Sequence, residues 1–286
     1  MKHFILPLLL LGACAPSDLK PTITAEVIAD GFMFTEGPVW SEDGFLLFSD
    51  IPANVVYRWS EDAGVDTFLT PSGRSNGLAF HPSGRLVLAQ HDGTVSMLSD
   101  EGNMQTLAQW DGGMRLNSPN DLVFHPSGVL FFTDPPFGVT DDERMLEYSG
   151  VYRLSPDGEL TLVFDGFELP NGIAFSPDHS RMYVCDSKTG EIIVWDVDAS
   201  GHAANSTWFA NIGAMTDKGG ADGMKTDSKG RLFTTGPNGL IVFDATGAEL
   251  LRMEFPEQVT NLAWGGAGDS LLYMTATDKI YKLSVQ

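Results

Sequence analysis

One short segment recurs six times along this chain, and its period constrains the fold more than any other feature. Glu36-Gly37-Pro38-Val39-Trp40 leads to Asp43-Gly44, Asn76-Gly77-Leu78-Ala79-Phe80 to His81-Pro82-Ser83-Gly84, and Asn120-Asp121-Leu122-Val123-Phe124 to His125-Pro126-Ser127-Gly128. Asn171-Gly172-Ile173-Ala174-Phe175 then leads to Ser176-Pro177-Asp178, Asp222-Gly223-Met224-Lys225-Thr226 to Ser228-Lys229-Gly230, and Asn261-Leu262-Ala263-Trp264 to Gly265-Gly266. The first residues of successive segments stand 40, 44, 51, 51 and 39 positions apart, near the period of a propeller blade.

Each repeat continues alike. A second apolar run follows the turn, such as Leu46-Leu47-Phe48 or Leu130-Phe131-Phe132, and then a third, such as Val55-Val56-Tyr57 or Ile192-Ile193-Val194. Most repeats add a fourth, as in Leu160-Thr161-Leu162-Val163. Short β-branched and aromatic runs split by Gly, Asp and Pro read as strands joined by hairpins. The chain stops on a third strand, Lys282-Leu283-Ser284, while Ile23 to Ile28 is a spare strand ahead of the first repeat. The expected fold is therefore all-β: one domain over residues 23–286, a six-bladed β-propeller of four-stranded sheets. The N-terminal strand completes the last blade and closes the ring.

Composition narrows the partners. The chain has 17 Lys and Arg against 38 Asp and Glu, a net charge of −21. That argues against nucleic acid, which needs a basic footprint, and against an anionic membrane surface. Residues 1–13 read as a signal peptide: a basic start, then the apolar run Phe4 to Leu11, shorter than the about 20 residues a membrane span needs. Leu11-Gly12-Ala13-Cys14 resembles the bacterial lipoprotein cleavage box. Cys14 is then the lipidated residue, residues 14–22 a tether, and the expected address is the outer membrane facing the periplasm, with plain secretion as the alternative. Membrane contact is expected only through Cys14, and the protein is expected to be a monomer or weak dimer. Cys185, the other cysteine, sits in an apolar run and reads as packing.

In a propeller the first strand of each blade lies beside the central channel. Glu36, Asn76, Asn120, Asn171, Asp222 and Asn261 open these strands and so form a ring at one mouth. Carboxylates gathered this way repel unless a cation joins them. Every ring donor is a hard oxygen, which points to calcium (Ca2+), with Mg2+, Mn2+ or Zn2+ as alternatives, and against a structural zinc site. For Asn76 and Asn261 a plain strand-opening role stands level with a ligand role. The second strands return to the same mouth and bring Asp134 and His91 there as a second ring, whereas Asp50 and Asp186 read as turn residues. His81 and His125 fall in turns at the opposite face and read as structural. Residues 140–148 read as a lid or a long hairpin.

With these residues in place, the chain resembles the regucalcin and gluconolactonase family of calcium-dependent propeller hydrolases. The resemblance rests on Glu36 to Trp40, Arg115-Leu116-Asn117-Ser118-Pro119-Asn120-Asp121-Leu122, Thr133-Asp134-Pro135-Pro136-Phe137-Gly138, Leu169 to Phe175 and Ala221-Asp222-Gly223-Met224. It implies Glu36, Asn171 and Asp222 as metal ligands, and Asn120 as a fourth ligand or a substrate contact. The implied reaction is hydrolysis of a sugar lactone, a small neutral partner. The metal would polarise the carbonyl and activate water. Three residues compete as general base: Asp222, which would also be a ligand; Asp134, off the metal; and His91, with an unperturbed pKa of about 6.5. Arg115 and Asn117 are placed to bind sugar hydroxyls or a carboxylate. No Ser or Cys nucleophile pattern is present. Two other readings share the ring. One is the same mechanism on an acyl-homoserine lactone, aryl ester or organophosphate, favoured by Phe34, Met114 and Phe137 at the mouth. The other is a calcium-stabilised binding propeller without turnover.

Overall fold

The structure, a computed structural model, describes residues 22–237 and 239–285. Six four-stranded antiparallel sheets follow one another around an axis. Their innermost strands are Thr35–Ser41, Ser75–Phe80, Leu122–Phe124, Pro170–Phe175, Met224–Thr226 and Val259–Gly265. The first five blades are each built from four consecutive strands. The sixth takes its outermost strand from the other end of the chain: Ile23–Asp30 pairs antiparallel with Lys279–Val285, from Ile23 opposite Val285 to Asp30 opposite Lys279.

The core lies between blades, and this explains the unbroken apolar runs. Side chains alternate across a strand, and each blade is covered on both faces, so neighbouring residues must both be apolar. Leu46 joins the cluster between blades six and one, Leu47 that between one and two. Phe132 packs between blades two and three, Phe131 between three and four. Leu232 packs between blades four and five, Phe233 between five and six. Each of the six interfaces thus owns a buried cluster, and the ring has no open seam. Truncating a side chain such as the fully buried Phe131 to Ala costs about 3–5 kcal/mol.

At the axis the inner strands touch backbone to backbone. A Cβ on Gly37 would lie 1.9 Å from the Asn76 carbonyl oxygen, and one on Gly172 would lie 2.1 Å from that of Asp222. In blades one and four glycine follows the ring residue because no side chain fits there. Two elements depart from the regular repeat. A two-stranded ribbon, Trp110–Asp111 with Met114–Arg115, precedes blade three. Residues 140–148 form an irregular connection, tied down by buried Leu146 and by Tyr148, whose hydroxyl donates to Asp111 at 2.6 Å.

Candidate active site

The six ring residues sit where the inner strands leave regular pairing. Bulges interrupt the ladder between Glu36 and Val39, Ser75 and Leu78, Pro170 and Ile173, and Val259 and Leu262. In blades three and five Asn120 and Asp222 precede the strand altogether. A bulge re-aims a side chain out of the pleat, here into the channel. Hydroxyl and thiol groups from the second strands and neighbouring ring segments fix the turned-out backbone across the blade interfaces. Ser49 donates to the Asn76 carbonyl at 2.8 Å, Thr133 to that of Asn171 at 2.8 Å, and Cys185 to that of Asp222 at 3.1 Å. Thr260 donates to the Thr35 carbonyl at 2.8 Å. Cys185 is therefore both core and clamp.

Above this floor opens a cavity of about 430 Å³. Glu36, Asn76, His91, Asn120, Asn171 and Asp222 line it. Its upper wall is apolar at Phe34, Ile51, Pro52, Phe137 and Met215, and polar at Thr216, Asp217 and Gln258. No Lys or Arg lines it, and no ion pair among the described residues reaches Glu36 or Asp222.

Two amides are locked with their oxygens unpartnered. Asn171 Nδ2 donates to Ser187 Oγ at 2.9 Å, and Asn76 Nδ2 lies 3.3 Å from His91 Nε2. Oδ1 of Asn76, Oδ1 of Asn171 and Oδ1 of Asp222 are buried and accept no hydrogen bond. Such atoms are costly, and three on one floor are what a cation site with hard-oxygen ligands presents. The carboxyl groups show the same stress. Burial pushes Glu36 up to about 7 against the pull of the Gly37 N–H, and the charge of Asp121 adds to the rise. Burial, then the charges of Glu36 and Asp121, hold Asp222 well above the carboxylate range. Among the described residues no group of three or more acidic, imidazole or thiol ligands assembles; the floor combines two carboxylates with amides.

Residues 34–278 match the family described as SMP-30/Gluconolactonase/LRE-like region. This chain belongs to that family. A gluconolactonase of Zymomonas mobilis is 37% identical over 286 residues, covering 90% of this chain and 80% of that one. A solved gluconolactonase of Xanthomonas campestris superposes with a TM-score of 0.83 at 31% identity, covering 92% of this chain and 90% of the other. A regucalcin of Agrobacterium tumefaciens, described as a calcium-binding protein, shares the fold with a TM-score of 0.79 at 21% identity, over 92% and 95% of the two chains.

Within this family member the sequence-predicted residues divide into two groups. Glu36, Asn120, Asn171, Asp222 and His91 meet in the cavity, joined by Asn76. Arg115, Asn117 and Asp134 do not line it. Asp134 is fully buried and its Oδ2 accepts from the Asn117 backbone N–H at 2.8 Å. Burial pushes its carboxyl up to about 7, opposed by the N–H groups of Asn117 and Ser118. The Asn117 amide donates to the carbonyls of Asp134 and Tyr148, so both residues brace the wall behind the cavity. Arg115 lines a neighbouring depression with Arg74, Asp92, Gly138 and Glu143. Phe34 and Phe137 line the cavity mouth, whereas Met114 lies on the extra ribbon and residues 140–148 stay clear of the cavity. Asp121 emerges as an unpredicted neighbour: 2% exposed, it lies next to Asn120 and its charge acts on both ring carboxyls. Its signal was present in the sequence, as the one Asp where four repeats have Gly.

Proposed function

We propose that this chain hydrolyses sugar lactones, with a divalent cation, calcium first, on the cavity floor. The observation carrying this reading is the set of three unpartnered buried oxygens of Asn76, Asn171 and Asp222, in a chain 37% identical to a gluconolactonase. Glu36, Asn171 and Asp222 would hold the cation, with Asn120 as a further ligand or a contact to substrate. A cation bound there supplies Lewis-acid chemistry at an ester carbonyl.

The chain's own residues do the rest. The apolar wall of Phe34, Ile51, Pro52 and Phe137 packs on the C–H face of a sugar ring, while Thr216, Asp217 and Gln258 meet its hydroxyls. Asp222 takes the proton from the attacking water, which adds to the carbonyl carbon. The ring C–O bond then breaks, its oxygen takes that proton back from Asp222, and the product leaves as a hydroxy acid. Two rivals for the base are poorly placed. Asp134 has no face on the cavity. With Asn76 as donor, the His91 Nε2 lone pair is occupied, and burial, then the charge of Arg74, lower this imidazole to about 4. His91 reads instead as the residue that orients Asn76.

A panel of sugar lactone, acyl-homoserine lactone, aryl ester and organophosphate, offered to the calcium-loaded protein, tests the substrate. The sugar lactone should show the highest kcat/KM. A higher value for another ester would move the same chemistry to that substrate, and no turnover at all would leave a binding propeller.

We further propose an envelope address. The predicted signal, Cys14 and the tether up to residue 21 lie outside the described residues. Ile23 pairs with Val285 at the edge opposite Asp30 and Val259, so the chain enters the ring on the face away from the cavity. A lipid on Cys14 would leave the mouth turned toward the aqueous compartment. Cys14→Ala should release the protein from the membrane fraction, and retention there would remove the lipoprotein reading.

A further inference from the structure

Asp121 is the buried acid that neither the fold nor the cavity lining explains. In blades one, two, four and five the residue after the ring position is Gly37, Gly77, Gly172 and Gly223, packed so tightly that a Cβ would strike the next blade. Blade three spends this crowded position on a carboxylate. Its Oδ1 accepts from the Leu122 N–H at 2.9 Å. Its Oδ2 reaches across the channel, 3.5 Å from the Ile173 N–H of blade four and 3.4 Å from Asn261 Nδ2 of blade six. These two contacts are long, and the side chain is only 2% exposed. No ion pair among the described residues involves it. It does not line the cavity. It directly follows the ring residue Asn120 and contacts the ring residue Asn261, and its charge acts on both Glu36 and Asp222.

We propose that Asp121 is the third charge of the cation centre: a positioning residue behind the cavity floor that ligates nothing and raises the affinity of the floor for a multivalent cation. Glu36 and Asp222 alone match a divalent ion charge for charge. A third carboxylate beneath them adds long-range attraction through a low-dielectric wall, where Coulomb forces are little screened. It is held in place by Leu122, Ile173 and Asn261, that is, by three different blades, so its charge stays fixed relative to the floor.

This inference rests on the cation reading of the same floor, and the test separates the two. Metal-stripped full-length wild type, Asp121→Asn and Asp121→Gly are titrated with calcium alone by calorimetry and with terbium(III) by luminescence, after a melting curve confirms each fold. Asn keeps the shape and removes the charge; Gly restores the residue of the other repeats and removes the hydrogen bonds as well. Both variants should bind calcium about tenfold more weakly. Terbium should lose about thirtyfold, because Coulomb attraction grows with ionic charge. Wild-type affinity in both variants overturns the inference. Weakening in the Gly variant alone would assign the effect to hydrogen bonding, and equal losses for the two ions would assign it to altered geometry; either result overturns the charge role. Should one variant fail to fold, the other still decides. If wild type binds neither ion, the cation reading itself falls, whatever Asp121 does.

Discussion

The two faces of the ring use the same residue types to opposite ends. On the face away from the cavity, acids close turns and accept several hydrogen bonds each. Asp178 accepts from the Ser176 hydroxyl at 2.6 Å and from both the N–H and the hydroxyl of Ser180. Asp198 accepts from the Ser200 N–H and hydroxyl and from the His202 N–H. Hydrogen bonds, led by those from Ser176 and Ser200, pull these carboxyls down to about 2. His81 and His125 sit 2.8 Å from the hydroxyls of Ser83 and Ser127. On the cavity face, burial and the charge of Asp121 push Glu36 up, burial and the charges of Glu36 and Asp121 push Asp222 up, and three side-chain oxygens accept nothing. One face spends polar groups on stability; the other holds unpartnered polar atoms at a cost to stability.

The sharpest way to break this contrast is substitution on each face. Asp222→Asn should lower lactone turnover by about a hundredfold to ten-thousandfold, the range for a lost general base, while the metal-free protein melts at a higher temperature because a buried ionisable group is gone. A lower melting temperature in that variant would mean Asp222 supports the fold like the turn acids.

Calcium should show the same asymmetry as a ligand effect. At about 100 times its Kd, a ligand specific for the folded state adds about 2.7 kcal/mol, or a rise of about 5–10 °C in Tm for a domain of this size. An unchanged melting curve would show that calcium does not relieve the floor.

The pH dependence of stability should have opposite signs on the two faces. Glu36 and Asp134 have folded values near 7, above the unfolded 4.5 and 3.8. Their contribution is therefore full below the unfolded values and is lost as pH rises toward 7. Metal-free protein should melt higher at pH 5 than at pH 8, and calcium should narrow the gap. Asp178 and Asp198 have folded values of about 2, below the unfolded 3.8. Their contribution is present above the unfolded value and is lost as pH falls toward 2. A metal-free melting temperature that rises from pH 5 to 8 would contradict the picture of the floor.

The smallest effect is expected from Asp198→Asn. It should leave turnover unchanged and lower Tm slightly near neutrality, by an amount that shrinks as pH approaches 2. A change in kcat/KM would mean that the far face reaches the site.

The repeats made the ring, the blade count and the closing strand legible, because a polar opener, a turn and an apolar run recur at blade spacing. They also placed Glu36, Asn120, Asn171 and Asp222 together, since equivalent positions on equivalent strands must face one axis. The limit came where the local chain leaves the repeat. Arg115 and Asn117 lie on an insertion, and the ribbon from Trp110 to Arg115 turns one toward a separate depression and the other onto Asp134. Strand ends put Asp134 and His91 at the mouth: His91 does line the cavity, engaged with Asn76, whereas side-chain direction braces Asp134 behind the wall. The lining residues Ser187, Met215, Thr216, Asp217 and Gln258 come from connections with no repeat signature.

The central claim is that the unsatisfied floor is a cation-dependent lactonase centre. Its most direct test is proton release from glucono-1,5-lactone above the spontaneous rate, measured on metal-stripped protein, after calcium is restored, and on Asp222→Asn. The account predicts turnover that appears with calcium and is lost in the variant while the propeller stays folded. A folded, calcium-loaded protein with no rate above background, or an Asp222→Asn variant at full rate, would contradict it.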